Sequence, residues 1–133
     1  MAISISKIAN IAEGQILQTG QELSLKYILL DSRKIISAKA SIYFAIKGKS
    51  HDGHKFITEL YQKGVKQFVI EKGHQVSLKE LPGASIIEVS SSIEALQSLA
   101  SYHRGQFNIP IIGITGSNGK TIVKEWLSQL FSK

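Results

Sequence analysis

The stretch Ser41-Ile42-Tyr43-Phe44-Ala45-Ile46-Lys47, with Gly48 to Gly53 (G-K-S-H-D-G) and then His54 to Glu71 (H-K-F-I-T-E-L-Y-Q-K-G-V-K-Q-F-V-I-E), decides the fold. The first seven residues are an apolar run rich in β-branched and aromatic side chains, which reads as a strand. The next six are turn chemistry. In 55–63, Phe56, Ile57, Leu60 and Tyr61 share one helical face. Gly64 is a natural residue to end that helix. Residues 65–71, centred on Phe68-Val69-Ile70, form a further strand. Strand, loop, helix, strand is the unit of an α/β fold with a parallel sheet.

Outward from this unit the alternation continues. Toward the N-terminus, Ser6 is expected to cap a short helix through Ile8 and Ile11, stopped at Gly14. Residues 15–19 form a short strand, and the apolar run Tyr27-Ile28-Leu29-Leu30 another. Toward the C-terminus, 72–83 carries Gly73, Pro82 and Gly83 and reads as a loop with about one helical turn in it. Residues 85–89 give a short strand. Ser91-x-x-Glu94 looks like a capping box, followed by a stripe of Ile93, Leu96, Leu99, Ala100 and His103 that ends before Gly105.

The last part of the chain has its own character. Residues 109–114 read as a strand leading into Thr115-Gly116-Ser117-Asn118-Gly119-Lys120-Thr121. Gly113, Gly116 and Gly119 allow positive φ and close backbone approach to a ligand. Successive amides and the N-terminus of the following helix favour phosphate. The Lys120 ammonium can reach β and γ phosphates, and the Thr121 hydroxyl can take a Mg²⁺ position. The strict pattern G-x-x-x-x-G-K-[ST] fails by one residue, because Ile114 stands five places before Gly119. Val123, Trp126, Leu127, Leu130 and Phe131 form the apolar face of the helix that follows. With 12 residues after Thr121, the expected organisation is two units. Residues 1–106 make a small α/β domain; 107–133 make the first strand, loop and helix of a truncated ATP-binding domain.

Bulk properties exclude several classes. Hydrophobic residues make up 43% and charged residues 20% of the 133, a globular composition. No run approaches the roughly 18 apolar residues of a membrane span. The N-terminus lacks a basic region before an apolar block, so no signal peptide is expected. No cysteine is present, which removes disulfides and thiolate catalysis and fits a cytoplasmic setting. The net charge is +6, but 14 of the 16 basic residues are scattered lysines and only Arg33 and Arg104 are arginine. That pattern speaks against a nucleic-acid surface.

Two polar clusters follow strong strands: Asp31-Ser32-Arg33, and 47–56 (K-G-K-S-H-D-G-H-K-F). Ligands of open α/β sheets gather at the C-terminal strand ends, and arginine can grip phosphate or carboxylate with two parallel bonds. An Asx turn at Asp31 and an ordinary glycine loop at 48–53 explain the same spacing without a ligand. His51 and His54 lack the further ligand a zinc site needs. His54 reads as a cap or a ligand contact; His74 and His103 read as surface or edge residues.

Taken together, D-S-R, F-A-I-K-G-x-x-x-D-G-H-x-F, G-V-x-x-F-V-I and G-I-T-G-S-N-G-K-T resemble the N-terminal part of a Mur ligase. These are the ATP-dependent amide ligases that build the peptidoglycan stem peptide. The likeness covers nearly the whole chain and is tightest over 31–70 and 109–126. Lys124-Glu125 is more like the members that add D-Ala-D-Ala to UDP-MurNAc-tripeptide than those that add meso-diaminopimelate or lysine. The wording I-V-K-E-W at 122–126 further resembles versions fused ahead of an alanine racemase.

The resemblance implies that the first unit binds the UDP end of the nucleotide-sugar peptide. Ser32 and Arg33 match one substrate-side motif; Lys47, Gly48, Asp52, Gly53, His54 and Phe56 match the second. Gly116, Ser117, Asn118, Gly119, Lys120 and Thr121 fall in the ATP loop, with Lys120 catalytic and Thr121 on Mg²⁺. Two departures stand out. Ser37-Ala38-Lys39-Ala40 replaces a usual Pro-Gly-Asp, and Ile122 replaces a usual threonine. Only Glu125 offers a carboxylate after Thr121, so the chain alone is expected to bind substrate without turnover. The alternatives are a diaminopimelate-type ligase fragment, a folylpolyglutamate-type ligase, and a non-catalytic nucleotide-sugar-binding module. D-G-H-x-F argues against the folylpolyglutamate type. The last helix is expected to pack back on the first unit, pair with another copy, or fray.

Overall fold

A computed structural model describes residues 3–21 and 23–132. In chain order the elements are α1 (Ile5–Ile11), β1 (Gln15–Gln18), β2 (Tyr27–Leu29), β3 (Ser41–Phe44), α2 (Ile57–Gln62), β4 (Gln67–Glu71), β5 (Ser85–Val89), α3 (Ser92–Arg104) and α4 (Lys120–Phe131). Single 3-10 turns lie at Ala38–Ala40, Gly53–Phe56 and Leu78–Glu80. The five strands form one sheet in the order β1-β5-β4-β3-β2. β2, β3, β4 and β5 are parallel and in register, while β1 runs antiparallel along β5. This is the expected α/β class.

The continuous apolar runs of β3, β4 and β5 are explained by burial on both faces. Ile42, Phe44, Val69, Ile87 and Val89 point to one side, where α1 and α3 cover them with Ile5, Ile8, Ala9, Ala95 and Leu99. Tyr43, Ala45, Phe68, Ile70 and Ile86 point to the other, under Ile57 and Leu60 of α2. Period-two alternation sorts each strand's side chains between two cores. Burying each large side chain is worth about 1.5–3 kcal/mol. Because β2, β3 and β4 are parallel, their C-terminal ends and the loops that follow share one edge of the sheet.

Several expectations need correction. The cap of α1 is Ser4, not Ser6; its hydroxyl accepts from the Lys7 amide at 3.3 Å. The 55–63 helix is split: a 3-10 turn capped by Asp52 precedes α2, because the Asp52 carboxylate accepts the His54 amide at 3.0 Å. On α3 the buried residues are Ser92, Ala95 and Leu99, with Leu96 partly covered. Ile93 is 48% exposed, and Ala100 and His103 also face outward, so the buried face is rotated from the predicted stripe.

Residues 109–114 form no strand. A strand exists only where a neighbour pairs with its backbone, and among the described residues none does. Instead the Arg104 guanidinium donates to the carbonyls of Phe107 and Ile109 at 2.6 and 2.8 Å. α4 is an intact helix with no buried residue. Trp126, Leu130 and Phe131 are 64–71% exposed, so α4 does not pack back on the first unit.

Candidate functional site

A cleft of about 560 Å³ opens at the strand-end edge, lined by Leu30, Asp31, Ser32, Arg33, Tyr43, His51, Phe56 and Glu59. The turn after β2 supplies one wall. There the Arg33 amide donates to Asp31 Oδ1 at 3.0 Å, an Asx turn, and the Arg33 side chain folds back on the same carboxylate. This pairing holds the Asp31 carboxyl well below the usual carboxylate range and raises the Arg33 guanidinium. The Arg33 side chain is 84% exposed, so its remaining N–H groups face solvent at the cleft.

The 47–56 segment makes the second wall. Lys47 and Asp52 form an antiparallel bridge, and the Gly48 amide donates to the His51 carbonyl at 2.7 Å. Gly53 then passes tightly over β3: its amide donates to the Ile46 carbonyl at 2.9 Å, and its carbonyl accepts from the Tyr43 hydroxyl at 3.0 Å. Beyond it His51 stacks on Phe56, ring centres 5.3 Å apart and 23° between planes. Burial, with the Asp31 and Asp52 charges, pushes the Tyr43 phenol up to about 12.

Of the expected substrate-side residues, Ser32, Arg33 and Phe56 line this cleft. Lys47, Gly48, Asp52, Gly53 and His54 build the loop behind it. His54 is a correction to its reading as a cap or ligand contact. Its side chain is 6% exposed, and both ring nitrogens are engaged inside the protein. Nε2 accepts the Glu71 amide at 3.1 Å, so the neutral ring carries its proton on Nδ1 and donates to Asp52 Oδ1 at 2.7 Å. His54 holds the Asp52 carboxyl down at about 2.

His74 is also corrected. It stacks face to face on His54, ring centres 3.6 Å apart, and its Nε2 lies 3.3 Å from Asp52 Oδ2. Nothing in the spacing announced this contact; the signal was Gly73, whose φ of +85° closes the turn that returns His74 to the sheet edge. Asp52, His54 and His74 lie close enough to hold a metal ion. The chemistry opposes it, since the Glu71 amide occupies the nitrogen of His54 that would have to carry the proton if Nδ1 bound metal.

The 113–121 loop ends where α4 begins, at Lys120, with Gly119 in the left-handed region at φ +77° and no side-chain cap. Gly116 has φ +147°; Gly113 is not in the positive-φ region. Space for a side chain at Gly119 is open. Lys120 Nζ donates to the Gly116 carbonyl, and lies 3.5 Å from that of Ser117. Uncapped amides, glycine backbone and a lysine curled over the loop fit a polyphosphate; Ser117, Asn118 and Thr121 are exposed beside them.

A family model described as Mur ligase family, catalytic domain, matches residues 24–104. The chain belongs to the Mur ligase family. It is 36% identical over 114 residues to the UDP-N-acetylmuramoyl-L-alanyl-D-glutamate–2,6-diaminopimelate ligase of Cytophaga hutchinsonii, covering 84% of this chain and 23% of that one. It is 37% identical over 118 residues to the UDP-N-acetylmuramoyl-tripeptide–D-alanyl-D-alanine ligase of Borreliella burgdorferi, covering 84% and 25%. The crystal structure of MurF from Acinetobacter baumannii shares the fold, with a TM-score of 0.79 at 24% identity over 99% of this chain and 28% of that one. The chain thus spans about a quarter of the length of the curated relatives it matches.

Proposed function

We propose that this chain is the nucleotide-sugar-binding part of a peptidoglycan precursor ligase, joined to the opening segment of its ATP-binding domain. The full enzyme adds D-Ala-D-Ala to UDP-MurNAc-tripeptide in the cytoplasm. The observation that carries the reading is the cleft itself. An arginine oriented by Asp31 and a stacked His51–Phe56 pair line the same cleft, a suitable arrangement for a phosphorylated nucleoside.

In the proposed division, residues 1–106 hold the UDP end and residues 107–133 begin the ATP unit. Ser32 and Arg33 contact the nucleotide, with Phe56; the loop of Lys47, Gly48, Asp52, Gly53 and His54 sets their geometry. Gly116 to Thr121 bind ATP, and Thr121 takes Mg²⁺. The substrate carboxylate attacks the γ-phosphorus and ADP leaves, giving an acyl phosphate. The amine of D-Ala-D-Ala attacks the acyl carbon, phosphate leaves, and the nitrogen sheds a proton. Lys120 neutralises charge on the transferring group.

The diaminopimelate-adding reaction is the second reading, favoured by relatives of that kind at 36% identity. Calorimetric titration with UDP-MurNAc-tripeptide, UDP-MurNAc-dipeptide and ATP separates the readings. Tighter binding of the tripeptide supports the first, and equal or tighter binding of the dipeptide the second. No saturable binding of either would remove both. Product from this chain with ATP, Mg²⁺, UDP-MurNAc-tripeptide and D-Ala-D-Ala would defeat the expectation that it does not turn over.

A further inference from the structure

Asp52 is shared by two histidines from different parts of the chain. His54 Nδ1 donates to its Oδ1 and His74 Nε2 reaches its Oδ2, while the two rings lie 3.6 Å apart and 6° from parallel. His74 arrives from the loop after β4, through a turn closed by its amide on the Glu71 carbonyl at 3.3 Å. The same Glu71 donates its amide to His54 Nε2, and its carboxylate accepts the Ser92 amide at the start of α3.

His74 Nδ1 is buried with no hydrogen-bond partner among the described residues. Such a nitrogen costs free energy, so this ring position is held by what its other face and edge do. Those contacts set His74 against Asp52 and against the ring of His54. Asp52 in turn closes the loop whose His51 and Phe56 line it.

We infer that His74 is a positioning residue for the cleft: acting through Asp52 and His54, it fixes the loop that presents His51 and Phe56 to the ligand. The binding consequence rests on the reading of the cleft as a nucleotide site; the ordering of the loop does not.

The test uses this chain as wild type, His74→Ala, His74→Gln, Asp52→Asn and the Asp52→Asn/His74→Ala double variant. UDP affinity is measured by calorimetry, and amide exchange at His54 and Ala45 by NMR. Losing the contact with Asp52 should weaken UDP about fivefold in His74→Ala. His74→Gln, whose amide N–H reaches the same carboxylate, should recover to within about twofold. In the Asp52→Asn background, His74→Ala should cost less than it does in the wild type, since the two residues share one contact. His54 exchange should rise about tenfold in His74→Ala while Ala45, bonded to Val69 within the sheet, stays unchanged.

Unchanged His54 exchange in His74→Ala overturns the inference, as does an equal rise at Ala45, which marks general destabilisation. UDP affinities that fall additively in the double variant also overturn it. If the wild type does not bind UDP, the nucleotide reading fails and the exchange measurements decide the role of His74 by themselves.

Discussion

The Arg33 guanidinium meets the Asp31 carboxylate two residues earlier through two near-parallel bonds, Nε to Oδ1 at 2.9 Å and Nη2 to Oδ2 at 2.8 Å. The pair fixes the plane of an otherwise exposed side chain at the rim of the cleft. A flexible arginine loses rotamer freedom when it grips a ligand; this one has lost it already. Arg33→Ala should therefore weaken UDP about tenfold with almost no change in melting temperature. Arg33→Lys should not rescue binding, because an ammonium lacks the planar fork. Calorimetry beside thermal denaturation checks both; a rescued lysine variant would contradict the argument.

Gly53 is the tightest point behind the cleft. A Cβ there would stand 2.8 Å from the Ile46 amide nitrogen and 2.9 Å from Tyr43 Oη. Backbone on one side and a fully packed tyrosine on the other cannot yield cheaply. Gly53→Ala should cost about 1–3 kcal/mol. Tyr43→Phe should cost about 1 kcal/mol by removing the hydroxyl bond to the Gly53 carbonyl. Urea denaturation measures both.

Tyr43 also predicts an alkaline limit. Its phenol is raised to about 12 in the folded protein, against about 10 when unfolded. The unfolded chain loses this proton first, so the stability Tyr43 contributes is whole below pH ~10 and falls toward pH ~12. Spectrophotometric titration should show one of the four tyrosines ionising late, and Tyr43→Phe should remove that step.

Asp52 sets the matching acid behaviour. Its carboxyl is lowered to about 2, first by the His54 side chain and then by the His54 amide. A depressed folded value gives stability that is present above the unfolded value, ~3.9, and lost as pH falls toward 2. Asp52→Asn should be less stable at pH 6 and should lose less on acidification between pH 4 and 2. Parallel acid-melting curves for the two proteins would disprove the assignment.

Gln67 lies fully buried in β4, and neither atom of its side-chain amide has a hydrogen-bond partner among the described residues. Gln67→Met keeps the volume and removes the unpaired groups. It should stabilise the protein by about 1–2 kcal/mol. Equal or lower stability in urea denaturation would show that the amide is satisfied in solution.

The two helix faces make a contrast. Leu60 and Leu99 are buried, and truncating either to alanine should cost about 2–5 kcal/mol. Trp126 and Leu130 are largely exposed on α4. Replacing them with lysine should change stability by less than about 0.5 kcal/mol. Trp126, the only tryptophan, should emit like an indole in water; blue-shifted emission that red-shifts on dilution would instead mark pairing between copies.

Much of this was legible beforehand. The four-residue apolar runs, the glycine punctuation and the Ser91-x-x-Glu94 box gave every strand of the sheet and α3, because those signals depend on residues adjacent in sequence. The polar clusters at 31–33 and 47–56 lie at the edge of the sheet where the cleft opens, since parallel strands bring their C-terminal loops together whatever the details. The family likeness was equally a property of the string of residues.

Other features depended on partners distant in the chain. The buried face of α3 is chosen by α1 and the sheet, and a helix cannot report which neighbour it will meet. Residues 109–114 have the composition of a strand, yet pairing needs a second strand beside them, and among the described residues they have none. His74 looked like a surface residue until the turn at Gly73 laid it on His54, 20 residues away in sequence. Local chemistry thus determined the class, the family and the edge at which the cleft opens. The packing of parallel strands alone decided that Asp52, His54 and His74 would meet there, because contact between loops is set by the sheet that carries them.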